Sequence, residues 1–163
     1  MKKTLFAMLF VLAPWFAKAE LKPKFTLAEL AGITFKDGHT DRLPLASAYG
    51  VALAVPLGSF AWTIEGDFVT PSVKFTPAYR FITGPAISLS STWSLGIAAL
   101  YQYRPDYEDL PEASQQLGLG VGPSAKVTDG LAVGIGIAGW KVLDDHGPYV
   151  LAFQLIKLSF TLP

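Results

Sequence analysis

The sequence contains no cysteine, so a disulfide framework, a thiol nucleophile and a cysteine-ligated metal are all excluded. Charge is scarce: 16% of the 163 residues are Asp, Glu, Lys or Arg, against about 25% in an ordinary soluble domain. The 13 basic and 13 acidic residues balance, so no basic excess points to nucleic acid. Long apolar runs are missing too. None approaches the roughly 20 residues of a membrane-spanning helix, although mean hydropathy is +0.38. No stretch of useful length shows helical periodicity, and no domain boundary or tandem repeat is visible.

The longest uncharged stretch near a terminus, Thr4 to Ala17, reads as part of a secretory leader. Lys2 and Lys3 make a positive start, Leu5 to Phe16 a short apolar region, and Ala17-Lys18-Ala19 a small-x-small cleavage pattern. The expectation is a cleaved signal peptide over 1–19 and a single domain over 20–163. Removing Lys2, Lys3 and Lys18 leaves 10 basic against 13 acidic residues, net −3.

What the chain has in abundance is alternation. From Leu43 to Leu57, large apolar residues (Leu43, Leu45, Tyr49, Val51, Leu53, Val55) hold odd positions and small ones (Ala46, Ala48, Gly50, Ala52, Ala54) even positions. Ser47 alone breaks the rule. A period of two marks a strand, whose successive side chains point to opposite faces. The pattern recurs over 60–69, 72–81, 93–104, 116–127 and 131–138, with further strands near 25–36 and 149–161, which makes eight.

Turn chemistry tests these faces. A two-residue loop at Gly58-Ser59 pairs Leu57 with Phe60. A loop at Thr128-Asp129-Gly130 pairs Val127 with Leu131, with Gly130 free to take positive φ. A loop at Thr70-Pro71 pairs Val69 with Ser72 and sets Asp67 opposite Lys74. The phase changes between Leu155 and Ile156, and a β-bulge there would turn Lys157 to the small face. Strict alternation puts Glu29 on the oily face; turning it inward would take bulges near Ala28 and Gly32.

Neither face is made for water. A soluble sandwich with oily faces inside would show water a surface of Ala46, Ala48, Gly50, Ala52, Gly118, Gly120, Gly122, Gly134 and Gly136, without the charges that protect exposed strands. Turned outward, the oily faces suit lipid, and the small faces line the narrow lumen of a closed eight-stranded barrel. Aromatic residues support lipid as the outer solvent. With both ends of the domain in the periplasm, Phe25, Phe60, Phe81, Trp93 and Phe160 fall near periplasmic strand ends. Phe35, Phe68, Phe75, Tyr101, Tyr103 and Tyr149 fall near outer ends, as in the two girdles of membrane barrels.

In strand count, turn spacing, leader and girdles the chain resembles the small eight-stranded outer-membrane barrels of the outer membrane protein A and X type. The resemblance covers nearly all of 20–163 and rests on no diagnostic motif. It implies an all-β, closed, antiparallel up-and-down transmembrane barrel in the outer membrane of a Gram-negative bacterium. The partners implied are membrane lipid, lipopolysaccharide and the barrel-insertion machinery; a monomer without cofactor or nucleic acid is expected. That class commonly ends on an aromatic residue, whereas this chain ends Phe160-Thr161-Leu162-Pro163.

Three constellations could carry function. Glu65, Asp67, Lys74, Arg80, Arg104 and Lys126 point inward and suggest an ion-pair network that plugs the lumen or gates a narrow pore. The outer loops are acidic, with Asp106, Glu108, Asp109 and Glu112 in one of them. Asp37, His39 and Asp41 in the first loop would neighbour Asp144, Asp145 and His146 in the last, a set that could hold a divalent metal or form a solvated acidic rim. A lipid A-modifying deacylase or acyltransferase would need His39 or His146 beside Ser72, Ser114 or Thr70. Pro77 and Pro123, read as mid-strand on the lipid face, would open lateral gaps in its wall. No catalytic motif matches. The reading is a plugged barrel in a structural or surface-interaction role; the pore, the enzyme and a soluble periplasmic barrel binding an apolar ligand stay open as alternatives.

Overall fold

The structure, a computed structural model, describes residues 22–71, 77–105, 114–143 and 147–161. Eight strands run β1 Lys22–Lys36, β2 His39–Leu57, β3 Phe60–Pro71, β4 Ala78–Ser88, β5 Trp93–Arg104, β6 Ser114–Thr128, β7 Leu131–Val142 and β8 Tyr149–Thr161. Each pairs antiparallel with its neighbours, and β8 closes on β1, so the sheet has no free edge. Closure satisfies the ladder hydrogen bonds internally, as a hydrocarbon surround requires. The fold is the closed, antiparallel, up-and-down transmembrane barrel that the alternation implies. One end, the turn end, carries the start of β1 and the short connections 58–59, 89–92 and 129–130. The opposite end carries the connections 37–38, 72–77, 105–113 and 143–148 and is called the loop end.

Faces follow the pleat. Ala48 and Ala52 are buried, while Leu45, Tyr49, Val51 and Leu53 between and beside them are exposed. Leu119 is 70% exposed although it sits mid-strand, which is wasteful in water and favourable in lipid. Hydrogen-bonded rows climb around the barrel. From Ile33 one row passes through Leu151, Gly139, Leu119, Ala99, Thr83 and Ile64 and reaches β2 at Leu53. Ile33 faces Arg42 of β2 directly, so the offset is 11 positions (53 − 42) toward the turn end. Such a stagger means tilted strands.

Several expectations are corrected. β4 starts at Ala78 rather than Ser72, and Val69 pairs with Ala78. Asp67 therefore lies opposite Arg80, and Phe81, paired with Tyr101, sits near the loop end rather than the periplasmic one. Pro77 precedes β4 instead of interrupting it; Pro123 is within β6. The loop at 129–130 is a two-residue turn closed by Thr128 and Leu131, with the irregularity between Lys126 and Thr128, and among described glycines only Gly38 and Gly58 have positive φ. Gly58-Ser59 closes with Leu57 opposite Phe60, as its chemistry demands. Asp37 and Gly38, at φ 51° and 80°, make a tight hairpin, so His39 and Asp41 belong to β2 rather than to a loop.

The bulges settle both difficult strands. On β8, Glu29 pairs with Ile156 but Leu30 with Gln154, leaving Leu155 extra, and Lys157 turns inward. On β2, Leu30 pairs with Ala46 but Gly32 with Leu43, so Pro44 and Leu45 share one partner position. Leu43 consequently faces the lumen rather than the lipid, packed beside Leu100, Trp140, Val150 and Ala152. β1 itself keeps strict alternation, and Glu29 stays outside.

Candidate functional site: the barrel lumen

Lumen chemistry begins with the small residues. Gly50 pairs with both Thr26 and Asp67, and a Cβ added to it would come within 1.9 Å of an Asp67 carboxylate oxygen. A bare position on β2 thus makes room for a carboxylate on β3. Asp67 accepts bonds from Arg80 Nε at 2.9 Å and from an Arg80 terminal nitrogen at 2.5 Å, a two-pronged pair between adjacent strands. Thr26 approaches the same carboxylate at 3.5 Å. Asp67 and Arg80 are each about 5% exposed, so neither charge is left to water.

One turn-ward step along β3, Glu65 binds Lys157 of β8, with Lys157 Nζ 2.6 Å from Oε1 and bonded to Oε2 as well. β1 and β2 separate these strands, so the pair reaches across the lumen rather than along its wall. Lys24 shares with Glu65, Arg80 and Lys157 a cavity of about 230 Å³, otherwise walled largely by glycine, alanine and short apolar side chains. Toward the loop end, Gln102 donates to Gln116 at 3.4 Å. Apolar groups form two clusters in the rest of the lumen, one of Ala28, Leu30, Ala48, Val69 and Ala78, the other around Leu100 and Trp140.

Of the six side chains expected in the lumen network, Glu65, Asp67 and Arg80 come together with one addition, Lys157. Lys74 lies outside the described residues. Lys126 binds Asp129 at the turn end and is half exposed, away from the others. Arg104 lies near the loop end with its Nε buried and without an acceptor. Glu29 accepts from the Ser47 hydroxyl at 2.7 Å on the outer face. The two residues that break the apolar pattern are thus cross-strand partners.

Some of the rim and girdle residues lie outside the described residues. Asp37, His39 and Asp41 are exposed, and Asp144, Asp145 and His146 lie outside the described residues. Among the described residues no group of three His, Asp or Glu is placed to hold a metal ion. Ser72 is also outside them, as are Asp106, Glu108, Asp109 and Glu112, while the Thr70 hydroxyl donates to the Ser47 carbonyl. Ser114 opens β6 opposite Arg104. Phe25, Phe35, Phe68, Phe81, Trp93, Tyr101, Tyr149 and Phe160 are exposed on the outer face, Phe60 and Tyr103 half-buried, and Phe75 lies outside the described residues. Tyr49, Trp62 and Tyr79 join the outer aromatics, with Trp62 Nε1 donating to Thr83 at 2.8 Å.

A closed eight-stranded sheet with an apolar exterior and buried ion pairs inside defines a small membrane barrel. No protein-family model and no curated protein matches the sequence. Solved structures do. The attachment invasion locus protein Ail of Yersinia pestis superposes with a TM-score of 0.59 at 10% identity, over 86% of this chain and 98% of that one. Neisserial surface protein A gives 0.57 at 10% identity, over 86% and 97%. Ail in complex with the heparin analogue sucrose octasulfate gives 0.54 at 13% identity, over 88% and 99%. At these identities the likeness is one of fold.

Proposed function

We propose that this chain is an integral outer-membrane protein of a Gram-negative bacterium, exported on a leader cleaved after Ala19. In this reading the lumen is closed to solutes, and the loop end acts in a structural or surface-interaction role. The observation that carries it is the inversion of solvents: bulky apolar side chains outside, paired charges inside. Two buried carboxylates, Asp67 and Glu65, each carry a cationic partner, as a closed interior favours because a buried carboxylate without one is costly. The turn end then faces the periplasm. Lipid and lipopolysaccharide surround a monomer placed there by the insertion machinery. The loop end, with Asp37 and Asp41 and the acidic residues of the other loops, faces outward as a negative rim. The structural neighbours named for attachment and for the cell surface support a role at that end.

Fractionation and electrophoresis test the location. The protein should require detergent for extraction from outer membranes and run faster unheated than boiled. Recovery in the soluble periplasm would overturn it. Planar-bilayer recordings test the closed lumen: a silent trace is expected, and ohmic steps altered by neutralising Asp67 or Lys157 would show a gated pore instead.

A further inference from the structure

Arg104 and Trp140 share a second cavity, of about 90 Å³, in the loop half of the lumen. Each leaves one buried N–H without an acceptor: Arg104 Nε and Trp140 Nε1. Two other lumen cations have a carboxylate partner. Arg80 has Asp67 and Lys157 has Glu65, but no described carboxylate pairs with Arg104. Trp140 is only 8% exposed. Its place is held open by Gly118, where a Cβ would come within 2.5 Å of the Trp140 Cβ. The rest of the wall is mostly apolar, including Leu30, Leu43 and Val69, and Gln102 spends its amide on Gln116.

We propose that this cavity binds a small monocarboxylate with a short apolar tail, whose carboxylate takes the Arg104 and Trp140 donors. The chemistry narrows the choice. Two donors without acceptors call for a group that only accepts, and an uncompensated guanidinium calls for a negative one. A dianion such as phosphate would bring more charge and more oxygens than one guanidinium and an apolar wall can satisfy. A cation is repelled. A chloride ion meets the donors but leaves the apolar wall unused. The volume, near that of three liquid waters at about 30 Å³ each, suits acetate to butyrate. The site depends only on the barrel fold, and holds whether or not the lumen conducts.

Trp140 is itself the reporter. Replacing Trp15, Trp62 and Trp93 by Phe leaves it the only one of the four tryptophans. The refolded chain in detergent is titrated with acetate, propionate, butyrate and chloride at constant ionic strength, following indole emission. A saturable change with the carboxylates is expected, tightening by about fourfold per added methylene. Arg104→Gln should abolish it in protein that still shows the heat-dependent gel shift. Arg104→Lys, which keeps the charge but loses the planar fork, should weaken it at least tenfold and serves if the Gln variant does not fold. The proposal is overturned by the absence of a saturable response. It also fails if chloride reproduces the response (an adventitious ion only), or if binding is unchanged in whichever Arg104 variant folds.

Discussion

Gly50 has no side chain, and the Asp67 carboxylate occupies the room this leaves. Gly50→Val should force that carboxylate off Arg80 and cost about 1–3 kcal/mol, read as an earlier midpoint in urea unfolding from lipid vesicles. Removing one partner of the pair should cost more. Arg80→Met leaves a buried carboxylate uncompensated, with an expected loss of about 3–5 kcal/mol in the same measurement. Combining it with Asp67→Leu should recover much of that loss, since two apolar groups leave no charge to solvate. On the outer face the sign reverses. Glu29 sits among Leu27, Tyr49, Ile156 and other lipid-facing groups, with the Ser47 hydroxyl as its hydrogen-bond donor. Glu29→Leu should stabilise the barrel in lipid by about 1–2 kcal/mol, since an acidic group on the lipid face is unfavourable. Unfolding at an unchanged urea midpoint would mean that water or headgroups already reach that carboxylate.

Strands carried the most information in the sequence, because the pleat imposes a period of two on any strand whose faces meet different solvents. That is why eight strands and the clash at Leu155–Ile156 could be read directly. Register was harder. Lys74 and Arg80 are six residues apart and so in the same phase of the alternation, which alone cannot say which lies opposite Asp67; Thr70-Pro71 reads as a turn and favours Lys74, whereas the pairing is with Arg80. Thr83-Gly84-Pro85 also reads as a break, yet it lies within β4, where a Cβ on Gly84 would come within 2.1 Å of the Ile97 carbonyl. Trp140 gives no such signal, because it follows a run of glycine and alanine on its face from Ala132 to Ala138. Asp37-Gly38 is itself a two-residue hairpin signal, and both residues take positive φ. The β8 bulge makes a test at this scale. Deleting Leu155 straightens the ladder while keeping Lys157 inside, so the variant should still refold and shift on a gel. Deleting Val133, in a regular stretch of β7, inverts every side chain beyond it and should abolish refolding.

For the molecule as a whole, closure rests on a single seam. β1 pairs with β8 from Lys24 to Phe35, so the first strand's partner is the last barrel strand to be synthesised. Any chain that has not yet reached Tyr149 therefore carries two raw edges, each a template for pairing with a stranger. The ring cannot be completed before β8 has emerged. Time spent as an open ribbon thus becomes a hazard of its own, one that lasts until the thirteen residues of β8 arrive.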